Sequence, residues 1–160
     1  MINLATAATL TNWSKRTLWR RISDGTLSRT GDDSMADDKK TKIDLDTIMS
    51  HICIPIESGD LELIESADAG DAKAQTDLAV LFLSYGKWES AIYWLELATK
   101  QNYSGSMYWL GRCHIDGNGA IADENLGVMW IAKAASLGHI VSTALMKAIL
   151  AKDGRQESCI

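Results

Sequence analysis

Proline is almost missing from this chain. Its 160 residues hold one, Pro55, so nothing beyond it interrupts a helical pattern. Cysteine is nearly as scarce: Cys53, Cys113 and Cys159 are odd in number, widely spaced and without a Cys-x-x-Cys pair, which argues against a disulfide framework and a zinc site. The pairs His51/Cys53 and Cys113/His114 supply two groups each, where a structural zinc needs four. No stretch approaches the ~20 apolar residues of a membrane span, and the N-terminus lacks the basic start and longer apolar core of a signal peptide. A reducing, cytoplasmic location without membrane contact is the expectation.

Catalytic signatures are missing as well. There is no strand-led glycine loop for phosphate, no Gly-x-Ser-x-Gly and no His-Glu-x-x-His, and Asp116-Gly117-Asn118-Gly119 has the turn residues of a calcium loop without its distal glutamate. A non-enzyme with no cofactor, metal or small-molecule ligand is expected.

With 46% apolar and 23% charged residues the composition is that of a globular protein of one or two small domains. The net charge of −5 conceals a division. Residues 1–30 carry five Lys or Arg and one acid, Asp24, whereas residues 51–160 carry eight bases and fourteen acids. A basic head on an acidic body follows from that split.

The head begins with Leu4, Ala7, Ala8 and Leu10 as the apolar face of a short helix, and Thr11-Asn12-Trp13 is the length of a tight interhelical turn. Ser14 is placed to cap a second helix, with Trp13 and Leu18 at the positions of a hydrophobic staple, and Gly25 to stop it. Leu18 and Ile22 share one face, so Lys15, Arg16, Arg20 and Ser23 point outward, where cations neutralise phosphate and guanidinium groups read guanine. A solvated basic helix is the competing reading. Leu27-Ser28-Arg29 and Thr41-Lys42-Ile43 are candidate strands, and Asp44 is a candidate cap for a short helix bearing Leu45, Ile48 and Ile52.

The order Ser14, Thr17-Leu18-Trp19-Arg20, Gly25, Leu27 resembles the winged helix-turn-helix heads of the MerR and excisionase family. That resemblance covers the first third of the chain and implies duplex DNA as partner. Arg16 and Arg20 would contact bases or phosphate, Lys15 phosphate, and Trp19 the wing or a sugar, with Ser23, Arg29 and Lys42 completing the surface. The segment between the strands departs from the family, because four aspartates, Asp32, Asp33, Asp37 and Asp38, repel phosphate. Either its tip stays clear of DNA, with Lys39, Lys40 and Lys42 nearer the duplex, or the segment weakens binding. A solvated loop is equally compatible with its composition.

From Asp60 onward the sequence repeats itself. Residues Ala74–Ala79 return as Ser106–Gly111 at an offset of 32, and Trp94–Ala98 return as Trp130–Ala134 at an offset of 36, the difference lying in a longer loop at 116–122. Periods of this size mark helical pairs that bury their apolar faces by stacking. Helices are predicted near 60–69, 72–84, 88–101, 104–115, 123–137 and 139–152, the first as a half-repeat cap, with 153–160 frayed.

Gly70-Asp71, Ala74-Gln75, Leu78, Ala91, Trp94, Ala98 and Thr99, then Leu110-Gly111, Gly117, Gly119, Trp130, Ala134, Ala135 and Gly138, resemble Sel-one-like repeats, relatives of tetratricopeptide repeats. The small residues are expected to let backbones approach, and Trp94 and Trp130 to fill the space between pairs. Ile140, Val141, Ala144, Leu145, Ala148 and Ile149 exceed what one neighbouring helix need cover. Leu145 and Ile149 are therefore the candidate partner contacts, with core packing as the alternative.

The expected protein is mainly α: a winged helix-turn-helix head at 1–54, a junction at 55–59 and a short α-solenoid at 60–160. The two resemblances together imply a sequence-specific bacterial transcriptional regulator whose repeats dimerise or bind a second regulatory protein. A protein-binding adaptor or anti-regulator whose head does not bind DNA is the alternative, and a DNA-bending architectural role a third.

Overall fold

The structure, a computed structural model, describes residues 1–30 and 41–156, with side chains through Lys152. The aspartate-rich segment 31–40 and Cys159 lie outside the described residues. Within them the chain is mainly helical and divides into two compact units, Met1–Ala74 and Gln75–Ile160.

The first unit runs β1 (Ile2–Asn3), α1 (Leu4–Thr11), α2 (Lys15–Ser23), β2 (Arg29–Thr30), β3 (Lys42–Ile43), a 3-10 helix (Leu45–His51) and α3 (Asp60–Asp68). Asn12 turns the chain between α1 and α2 in the left-handed conformation at φ 56°, which asparagine tolerates better than most side chains. Ser14 then accepts the backbone N–H of Thr17 at 3.1 Å, so the expected cap is in place. Gly25 follows the end of α2 at φ 76°, and the N–H of Leu27 reaches back to the Arg21 carbonyl at 3.0 Å. Leu4, Leu10, Leu18, Ile43, Ile48 and Ile64 are fully buried at the centre of this unit.

Two features here differ from the sequence reading. The expected hairpin is part of a three-stranded antiparallel sheet in the order β1-β3-β2, because Ile2 and Asn3 pair with Ile43 and Lys42. Two residues are too short to show an alternating pattern, and β1 passes directly into α1. The helix after β3, capped by the Asp44 carboxylate at the N–H of Asp46, is wound as 3-10.

Helix α3 is tied into the first unit. Its Asp68 carboxylate, 4% exposed, accepts the Asn3 N–H at 2.9 Å, the Thr6 hydroxyl at 2.5 Å and the Lys42 ammonium at 3.1 Å. A buried carboxylate is tolerable only with such donors, and these fix α3 to β1, α1 and β3.

The helix α4 (Ala72–Ser84) spans the division, and the second unit continues with α5 (Trp88–Lys100), α6 (Ser104–Asp116), α7 (Glu124–Ser136) and α8 (Ile140–Gln156). These ends agree with the expected ones to within a residue, except that α8 continues through a stretch expected to fray. Helices α6 and α7 cross backbone to backbone. A Cβ on Gly111 would lie 2.7 Å from the Gly127 carbonyl oxygen and 2.8 Å from Ile131, and one on Gly127 would lie 2.7 Å from the Gly111 oxygen. The repeat-equivalent positions, Ala79 and Ala91, are fully buried.

The two repeat tryptophans are not equivalent in burial. Trp94 is 1% exposed and fills the unit's centre, as expected. Trp130 is only half-buried, with the Lys133 ammonium 5.3 Å from its ring. The expectation that both fill core space is corrected for Trp130, whose ring stays partly open.

Three stability measurements follow. Gly127→Ala should destabilise the chain by about 1–3 kcal/mol in denaturant titration, because neither backbone at the crossing can retreat cheaply. Trp94→Ala should cost roughly 3–5 kcal/mol, and Trp130→Ala clearly less. Asp68→Ala strands a buried N–H, a hydroxyl and an ammonium, and should cost about 2–4 kcal/mol.

Candidate functional site

The last helix exposes an unusual number of aliphatic side chains. Its least exposed residues are Ser142, Thr143 and Met146: Ser142 is fully buried with its hydroxyl 2.8 Å from His139 Nδ1, and the Thr143 hydroxyl donates to the His139 carbonyl at 2.9 Å. Ile140 is 84% exposed and Leu150 66%, and Val141, Ala144, Leu145, Ala148 and Ile149 are exposed between them, with Lys147 the one charge in that stretch. Scattered exposed aliphatics are ordinary, whereas several together on one helix are not. Leu145 and Ile149, the two singled out in the sequence, are among them, each 36% exposed. Leu150, which sequence reasoning passed over, is also exposed, but it lies in line with Thr143 and Met146 on the side opposite Val141.

In the first unit α2 presents a different surface. Arg16 and Arg20, one turn apart, are exposed and, with Thr17, line an open cavity of about 340 Å³ among the described residues. Lys15 is exposed beside them. Arg21, on the other side of the helix, lies over the Trp13 ring at 4.1 Å, and Trp13 meets His51 edge-on at 4.9 Å. That stack holds the start of α2 against the 3-10 helix. At the other end, Thr26 hydrogen-bonds the fully exposed Asp24 carboxylate and holds its pKa below the usual carboxylate range, with Arg21 and Arg20 adding to the effect.

The remaining residues of the expected DNA surface are less available. Ser23 donates its hydroxyl to the Trp19 carbonyl at 3.0 Å. Trp19 and Arg29 are half-buried, and both make contacts within the protein. Lys42 is 41% exposed but its ammonium is committed to Asp68. The structure thus brings Arg16 and Arg20 together and leaves Lys42 at a structural ion pair.

Among the described residues no group of three or more His, Cys, Asp or Glu could hold a metal ion, and no helix is long and apolar enough to cross a membrane. Cys113 is buried on α6, and desolvation, with the Asp116 carboxylate adding to it, pushes its pKa up to about 11.

The repeat unit has relatives. The Sel1 repeat family model matches residues 72–103 and 104–139, two consecutive copies. Repeats of this kind serve protein–protein interaction in general. Among solved structures the chain is similar to a Sel1 repeat protein from Oxalobacter formigenes, with 29% identity, coverage of 54% of this chain and 68% of that one, and a TM-score of 0.47. No curated protein matches it. The family match begins at residue 72, and residues 1–71 stand on their own geometry.

A raised thiol pKa has two measurable consequences. At neutral pH Cys113 should resist alkylation while the half-buried Cys53 reacts faster, read by mass spectrometry. Because the folded-state value exceeds the usual 9.0, the native chain holds this proton longer than the unfolded one. The associated stability is fully present below pH 9 and should be lost as pH rises toward 11, a dependence that Cys113→Ala removes.

Proposed function

We propose that this chain is a protein-binding adaptor that docks a partner on the outward face of α8. The observation that carries this reading is the group of exposed aliphatic side chains on that helix, Ile140, Val141, Leu145 and Ile149. Exposing so many aliphatic side chains is unfavourable at roughly 25 cal/mol per Å², and a helix laid along them removes that cost. The partner is therefore expected to present an amphipathic helix, from another protein or from a second copy of this chain.

A second reading has its own observation. Arg16 and Arg20 stand exposed on a Ser14-capped helix beside an open cavity, which suits contact with duplex DNA and would make the chain a transcriptional regulator with the repeats as its assembly surface. A single short helix reads only a few base pairs, so specific binding would also require the α8 face to pair two heads.

The adaptor reading is tested with Leu145→Glu/Ile149→Glu, purified from the cells that make the chain alongside the unaltered protein and Arg16→Ala/Arg20→Ala. A stoichiometric partner, or dimer mass in light scattering, should be lost from the first variant and kept by the second. Retention by both discards the α8 face. The DNA reading is tested by titrating duplex DNA. Arg20→Ala should cost about 1–3 kcal/mol if it reads a base, and Lys15→Ala should weaken all sequences alike and flatten the salt dependence.

A further inference from the structure

The two repeats differ in a way that their scaffold does not require. At the offset of 32, Trp109 on α6 stands where the first copy has Asp77, and at the offset of 36, Trp88 at the start of α5 stands where the second copy has Glu124. Both acids are exposed. Those positions thus serve as solvated surface in the sister copy, yet here each carries an indole, and the two indoles border one recess.

That recess, about 120 Å³, has Leu83, Cys113 and the two indoles as its walls. It is too small for a cofactor or drug-sized ligand, which needs roughly 300 Å³ or more, and suits one side chain. Its rim carries Arg112 and Asp116, 3.4 Å apart, so the nearest cation and anion neutralise each other. Cys113 stays an uncharged thiol at neutral pH. Asn118 completes the rim, and among the described residues neither its side-chain amide nor either indole N–H has a hydrogen-bond partner. The loop is held tightly: Gly119, at φ 74°, lies so close to the start of α5 that a Cβ there would be 2.6 Å from the Trp88 Cβ.

We infer that this recess is a second protein-contact site, which takes one uncharged aliphatic side chain from an extended partner segment while Asn118 and the indole N–H groups meet that segment's backbone. Apolar walls select against a charged anchor, because the balanced Arg112–Asp116 pair offers no net charge to offset its desolvation. The uncommitted donors call for carbonyl oxygens flanking the anchor. The inference shares with the adaptor reading the premise that the repeats bind protein, but it concerns a different surface from α8.

The test uses the full chain, labelled with ¹⁵N, and capped pentapeptides acetyl-Gly-Ser-Xaa-Ser-Gly-amide, with Xaa as Leu, Met, Ala, Lys or Glu. The indole N–H signals of Trp88 and Trp109 should shift saturably with Leu and Met, and about tenfold more weakly with Ala, Lys or Glu, while that of Trp130 stays still. Trp88→Glu and Trp109→Asp install what the sister copy carries and should abolish binding in a folded protein; Asn118→Ala weakens it severalfold and serves if either fails to fold. Leu145→Glu/Ile149→Glu should leave these shifts intact, which separates this site from the α8 face. No saturable shift, a preference that follows charge, or equal binding by the variants overturns the assignment.

Discussion

The second unit depends on a single close approach, the crossing of α6 and α7 at Gly111 and Gly127. Each glycine lies against the other's carbonyl oxygen at a distance that no Cβ could share, so the two helices are packed on backbone rather than side chains. That fixes the spacing of the layer, and the larger neighbours follow from it. Ile131 is buried against the crossing and Trp94 is enclosed one repeat earlier. The first copy has Ala79 and Ala91 at the same places, one methyl wider on each side. The chain thus varies the tightness of the crossing while keeping small residues at it.

Much of this was readable beforehand because it is periodic. The offsets of 32 and 36 locate α4 to α7 to within a residue, and a hydroxyl at Ser14 with glycine at 25 bounds α2 from both ends. What escaped was non-local or too short. Strand β1 has two residues, and its pairing partner lies forty positions away. The allegiance of α3 depends on Asp68, which in the sequence is one acid among many in an acidic stretch; only the fold gathers Asn3, Thr6 and Lys42 around it. Trp130 matches Trp94 in pattern, and the pattern does not record that one is enclosed and the other half-open.

The candidate sites divide in the same way. Arg16 and Arg20 were identifiable from helical phase alone, and their exposure agrees with it. Lys42 was not, because its strand position says nothing of the carboxylate beneath it. On α8 the excess of aliphatic residues was visible, but its direction was not. Only the structure shows which of them stay exposed. The exposed aliphatic side chains of α8 are the surface from which assembly is expected.

Hydrogen exchange across residues 140–150, followed first in dilute chain and then in its assembled complex, tests that expectation most directly. Exchange there should slow markedly on assembly while residues 15–23 keep their free rates in the absence of DNA. Assembly that leaves 140–150 exchanging as in the free chain would contradict the account, because the aliphatic face of α8 would then have no part in binding.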